Sequence, residues 1–267
     1  MTSDAPSDGP QPPASPLDGV AGPAPAPNRG VSPQPTASRA IAEVLLCSGF
    51  PTQLAISGLL ASAGFAPRSA SGGLSAPFAF TVVMLDSVIL LTLIWLLLRR
   101  QGLRPLDVLI GPRPVWREAA LGLSLIPLIL ILVGALMLGL RAVAPWLHNV
   151  PDNPLTSLVS TRAGLIASIV VGIVAGGVRE EVQRAFLLRR FQDSLGGRGV
   201  GLVVTSLAFG LGHTLQGWDA AIITAVLGGA WGLLTLARGG AVASIAGHAG
   251  FDAVQLLIAG STMGRLE

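Results

Sequence analysis

The chain has 267 residues, of which 51% are hydrophobic and 12% charged, about half the charged fraction of an ordinary soluble domain. The apolar residues lie in long runs, which excludes one or two soluble domains and implies a polytopic integral membrane protein in contact with the lipid bilayer. The formal charge of +3 gives no footprint for nucleic acid, and Cys47 as the sole cysteine excludes an intrachain disulfide.

Residues 1–37 are rich in Pro, Ala, Ser and Gly and carry half of the chain's 20 prolines. Almost nothing there can form a core, so a disordered tail is expected, followed by a transmembrane domain over 38–267. Hydrophobic spans are expected near 40–62, 78–98, 119–141, 164–188, 199–215, 220–237 and 241–259, about seven in all. The second is interrupted only by Asp86, the first carries Glu43 near its start, and the last three are short and rich in glycine. Segment 103–115 is too short and too rich in proline to span, and is expected to lie at the membrane surface. Seven spans with a cytoplasmic N-terminus put eleven arginines in inside segments, among them Arg99, Arg100, Arg104, Arg189 and Arg190. Only Arg68, Arg141, Arg162 and Arg265 then lie outside, which is the bias of the positive-inside rule. Trp116, Trp146 and Trp218 fall at span ends, where indole rings favour the interface. In lipid every backbone polar group must be satisfied locally, so the expected fold class is all-α, a transmembrane helix bundle.

A charge at the centre of a span costs about 2.5–3.5 kcal/mol on insertion scales. The fourth span nevertheless reads GGVREEVQRAF, with Arg179, Glu180, Glu181 and Arg184; the fifth carries His213, and the seventh His248 and Asp252. Glu180 and Arg184 are four apart and Glu181 and Arg184 three apart, so either pair can meet on one helix face. His248 and Asp252 share a face in the same way, as do Phe209 and His213. Two histidines and two or three carboxylates can thus converge from three helices. That inventory suits a zinc ion held by His213 and His248, with a carboxylate as general base toward bound water. It equally suits a metal-free water activated by a Glu–His pair. Taken singly, Asp86 reads as a structural ion pair or helix contact, and His213 as a satisfied core histidine. The Arg–Glu cluster alone could be a self-neutralised lock between helices. The pairs Gly172/Gly176 and Gly228/Gly232 read as helix packing.

Glu180-Glu181 followed by Arg184, then Phe209 to His213, then His248 to Asp252, resembles the CPBP family. Those are the CAAX prenyl endopeptidases and the bacterial proteins grouped with abortive infection and bacteriocin processing. The resemblance covers about residues 160–260. One departure stands out: the family has three residues between the Glu pair and the arginine, whereas only Val182 and Gln183 intervene here. On a regular helix the shift turns the arginine by about 100°, so that Arg184 is expected to face Glu180 rather than Glu181. The resemblance implies an intramembrane peptide hydrolase, a metalloendopeptidase of CAAX-protease type with zinc as its expected cofactor, acting on a peptide or protein substrate. It implies Glu180 as general base with Glu181 in support, and His213 and His248 holding zinc or the catalytic water. Asp252 would orient His248 or donate to the oxyanion, and Arg184 would fix the carboxylates. The alternatives are a non-catalytic immunity or scaffold protein binding a peptide in the same cavity and, third, a proton-coupled transporter. Against the last stands the lack of a repeat of the spans in two halves.

Overall fold

The computed structural model describes residues 35–69, 72–151 and 153–262. The expected tail up to residue 34 lies outside the described residues. The described chain is helical, apart from turns and one isolated bridge between Arg68 and Leu74. Helices α1 (Ala37–Leu46) and α2 (Phe50–Ser62) divide the first expected span at a turn on Gly49, after which Pro51 sits in the first turn of α2. Helix α3 (Ala76–Arg100) is the second span, unbroken, and ends on Arg99 and Arg100, cations suited to a helix C-terminus. A short helix α4 (Pro105–Ile110) occupies the segment expected at the surface. The third span is divided as α5 (Val115–Ser124) and α6 (Ile126–Val143), where Pro127 has no N–H for the ladder. Helix α7 (Arg162–Val171) runs through a π-helical segment (Gly172–Glu180) into α8 (Glu181–Ser194). Helices α9 (Gly197–Leu211), α10 (Trp218–Arg238) and α11 (Val242–Thr262) follow.

Among the described residues, six helical stretches are long and apolar enough to cross a membrane, one fewer than the sequence suggested. The exception is the fifth expected span. Its helix α9 has 15 residues, about 22 Å at 1.5 Å per residue, which falls short of a hydrocarbon core of about 30 Å. Trp116, Trp146 and Trp218 are all exposed, as expected of interfacial residues.

Buried acids on the first half of the chain clasp arginines on the second. Glu43 of α1 accepts from Arg190 Nε at 2.5 Å. Asp86 of α3 accepts from Arg179. Glu118 of α5 binds Arg238 through two bonds of 2.6 and 2.8 Å. These three acids are 5%, 1% and 3% exposed, so the charges in apolar spans are paired as burial demands. Arg190, counted above among loop arginines, is instead fully buried, with its guanidinium against the Phe186 ring.

The remaining helices close on α11 through small residues. A β-carbon on Gly122 of α5 would meet the Ala243 carbonyl at 2.1 Å, and one on Gly177 would meet the Ala249 β-carbon at 2.5 Å. Bare glycines thus let α5 and the π segment approach α11 closely. That approach presents His248, one residue beyond Gly247, to the helix that bears the glutamates.

Candidate active site

The two adjacent glutamates point to different places because they straddle the junction of the π segment and α8. Glu181 opens α8 and is completely buried. Its Oε1 accepts from Arg184 Nη1 at 2.5 Å and from His248 Nδ1 at 2.8 Å. Arg184 therefore faces Glu181 and not Glu180, contrary to the regular-helix expectation. The helix is α-helical only from Glu181 onward, where residues three apart meet, while Glu180 closes the wider π winding and turns away. The Arg184 guanidinium lies 4.4 Å from the centre of the Phe209 ring, which fixes it from the other side.

His248 is 6% exposed. Its ring stacks on Trp231 at 5.7 Å between centroids and 17° between planes. A carboxylate accepts, so the bond to Glu181 places a proton on Nδ1 and leaves Nε2 to the site. That Nε2 stands 3.7 Å from Asp252 Oδ2 and 4.0 Å from Glu180 Oε2. Asp252 lies one turn along α11, beside Gly176, whose missing side chain makes the space for its carboxylate.

His213 follows the end of α9, which stops at Leu211. The chain turns there, so His213 is not carried deeper along a continuing helix. Its Nδ1 bonds the Phe209 carbonyl at 2.8 Å. A carbonyl cannot donate, so Nδ1 carries a proton, and in the neutral ring Nε2 presents a lone pair. Phe209 touches both imidazoles edge-on, His213 at 4.8 Å and His248 at 6.0 Å between ring centroids.

A cavity of about 930 Å³ opens beside these groups, between the α1–α2 turn and the face of α8 and α9. Glu180, Arg184, Phe209 and His213 line it, among mainly apolar side chains such as Phe50, Leu187 and Val204. Glu180 is the partly exposed carboxylate on its wall, with 22% of its side chain accessible. The structure thus brings Glu180, Glu181, Arg184, His248 and Asp252 into one contiguous cluster. His213 joins Glu180 on the cavity wall, with the Phe209 carbonyl as its hydrogen-bond partner.

The free Nε2 atoms of both histidines are the donor type that zinc takes. Among the described residues, however, no three His, Cys, Asp or Glu side chains stand together closely enough to hold one ion. As placed, the donors do not fit a three-ligand zinc centre.

Arg179, read in the sequence as one member of a self-neutralised Arg–Glu cluster, has Asp86 of α3 as its closest partner. Thr52 Oγ1 and Gln53 Nε2 also donate to that carboxylate, the latter at 3.2 Å. The signal was present as two opposite charges in separate spans, but nothing in the sequence pairs residues 93 positions apart. Trp231, the platform under His248, gave no signal distinct from any apolar residue of its span.

Residues 162–254 match the family model for Rce1-like type II CAAX prenyl endopeptidases. No curated protein and no solved structure matches the chain. The match spans the π segment, both glutamates, both histidines and Asp252, the stretch over which the motifs resemble the CPBP family. With motif order, helical setting and family match in agreement, the chain carries over residues 162–254 a type II CAAX prenyl endopeptidase Rce1-like domain of the CPBP family of intramembrane proteases.

Proposed function

We propose that the protein hydrolyses a peptide bond of a substrate lodged in the cavity, with water activated between Glu180 and His213. The observation that carries the reading is the division of labour between the glutamates: Glu181 is buried and committed to Arg184 and His248, while Glu180 lies on the cavity wall with Arg179 and His248 no closer than 3.8 and 4.0 Å. Water between them donates one hydrogen to the Glu180 carboxylate and the other to the His213 Nε2 lone pair. As its oxygen bonds the carbonyl carbon, Glu180 takes the proton and the carbonyl oxygen becomes an oxyanion. His248, held by Glu181 and Trp231, is protonated on both ring nitrogens in this reading, so that Nε2–H, together with a protonated Asp252, donates to the oxyanion. Glu180 then returns the proton to the departing nitrogen as the C–N bond breaks. Arg184 acts through Glu181, whose carboxylate it fixes. The N-terminus is cytoplasmic in this reading, on the strength of the five arginines between residues 99 and 117.

The substrate is a peptide or protein with an extended apolar segment able to fill the cavity. A prenylated CAAX peptide is the first probe, because the matching family model describes endopeptidases of that class. The test is turnover of a quenched fluorescent prenylated CAAX peptide, alongside a library of apolar peptides analysed by mass spectrometry, in protein purified in detergent. Wild type should cleave at a defined bond, and His213→Ala and His248→Ala should each lose at least about 100-fold in kcat, in the range for groups that handle protons. Metal analysis of the same samples separates this reading from a zinc-dependent one. Zinc at about one ion per chain, lost in either variant, would replace the metal-free water with a metal-bound one. Binding of the probe without cleavage would favour the scaffold reading.

A further inference from the structure

Asp86 lies on α3, outside the segment that matches the family, yet it reaches the candidate base through one residue. Arg179 donates from Nη2 to Asp86 Oδ2 and turns its other terminal nitrogen, Nη1, toward Glu180 Oε1 at 3.8 Å. That separation is too long for a hydrogen bond and short enough for an ion pair to close with a small side-chain rotation. Two carboxylates thus compete for one buried guanidinium, and the surroundings favour Asp86. Thr52 and Gln53 hold the Asp86 carboxylate in place from α2. Gly49, at φ 87°, leaves the space that the guanidinium occupies, since a β-carbon there would stand 2.4 Å from Arg179 Nη2. Gln183 Nε2 donates to the Cys47 carbonyl at 2.8 Å and ties the same turn to α8.

We propose that Asp86 is a positioning residue that holds Arg179 away from Glu180 and so keeps the Glu180 carboxylate open to the cavity. The proposal rests on Glu180 being the working carboxylate of the site. Without the Asp86 charge, Arg179 has Glu180 as its nearest acid and closes onto it. Glu180 then turns from the cavity into an ion pair, with the rest of the site intact.

The experiment is a set of variants, Asp86→Asn, Arg179→Gln, Glu180→Gln, and the combinations D86N/R179Q and D86N/E180Q, each measured for peptide turnover and for Tm in detergent. Asp86→Asn should lower kcat about ten-fold or more with KM little changed, part of the 10²–10⁴ that a general base contributes. D86N/R179Q, which lacks the cation, should recover most of that loss even where its Tm is lower. A purely structural Asp86 would give a double variant no more active than D86N, which overturns the proposal. The thermal measurements stand independently of catalysis. Glu180→Gln should shift Tm by less than about 1 °C in the wild-type background but lower it by about 3 °C or more in the Asp86→Asn background, where it removes a newly formed pair. Equal shifts in both backgrounds overturn the proposal even if no peptide is cleaved. Full activity of Glu180→Gln would instead refute the catalytic reading, and the thermal comparison would still decide whether Asp86 restrains Arg179.

Discussion

A β-carbon placed on Gly176 would stand 2.2 Å from Asp252 Oδ2, so the Asp252 carboxylate occupies space that exists only because position 176 has no side chain. The π segment therefore does more than bend the helix. It brings a bare stretch of backbone against the acid of α11, one turn before it delivers Glu180 to the cavity.

Substituting Gly176→Ala should accordingly separate activity from stability. The clash falls on the end of a flexible side chain, which can rotate away, so the Tm should fall by only about 1–2 °C. Displacing Asp252 from His248 should nonetheless lower kcat at least about ten-fold, since catalytic groups tolerate little misplacement. Gly177→Ala is the control. Its β-carbon would meet the Ala249 β-carbon at 2.5 Å and backbone atoms of α11 at 3.0 and 3.2 Å. Neither helix can yield cheaply, and overpacking of this kind costs about 1–3 kcal/mol. Thermal unfolding and turnover of the two variants, measured side by side, check the contrast.

Arg184→Ala should be among the most damaging single changes. It leaves Glu181, which has no solvent exposure, without its cation and removes the guanidinium from the Phe209 ring. Breaking a buried pair from one side costs about 3–5 kcal/mol. The expected result is a poor yield of folded protein, read as loss of the monodisperse peak in size-exclusion chromatography. Arg184→Ala combined with Glu181→Gln should recover folded protein without activity, because the second change takes from His248 the carboxylate that holds it.

Glu118→Gln tests the clasp farther from the cluster. Glu118 bonds Arg238 twice and lines no part of the cavity. The variant should lower Tm by several degrees while the kcat of the folded fraction stays within about two-fold of wild type. A selective loss of kcat would connect the α5–α10 contact to the site.

Much of this arrangement was legible in the sequence, and the parts that were not have physical reasons. Charge in an apolar span is costly, so Glu180, Glu181, His248 and Asp252 stood out at once, and helical spacing placed His248 and Asp252 on one face. The direction of Arg184 was misread because spacing was converted to angle on a regular helix. GIVAGGVRE adopts a π winding that no local propensity announces, and the two glutamates part at its end. The fifth span was overcounted because hydropathy measures composition, whereas the Gly212 turn after Leu211 sets where α9 stops. Glu43 and Asp86 were visible as anomalies, and Glu118 lay just outside the expected third span, but their partners lie 147, 93 and 120 residues away. Only the packing of the helices supplies those pairings.

The most direct test is turnover of Glu180→Gln against wild type, in protein of equal folded fraction, on the substrate that wild type cleaves. Gln keeps the size and one acceptor but cannot take a proton from water. The account predicts a loss of at least about 10³-fold in kcat with substrate binding retained, within the range for removal of a general base. Turnover within a few-fold of wild type would contradict it, and would move the chemistry away from the one carboxylate of this cluster that lines the cavity.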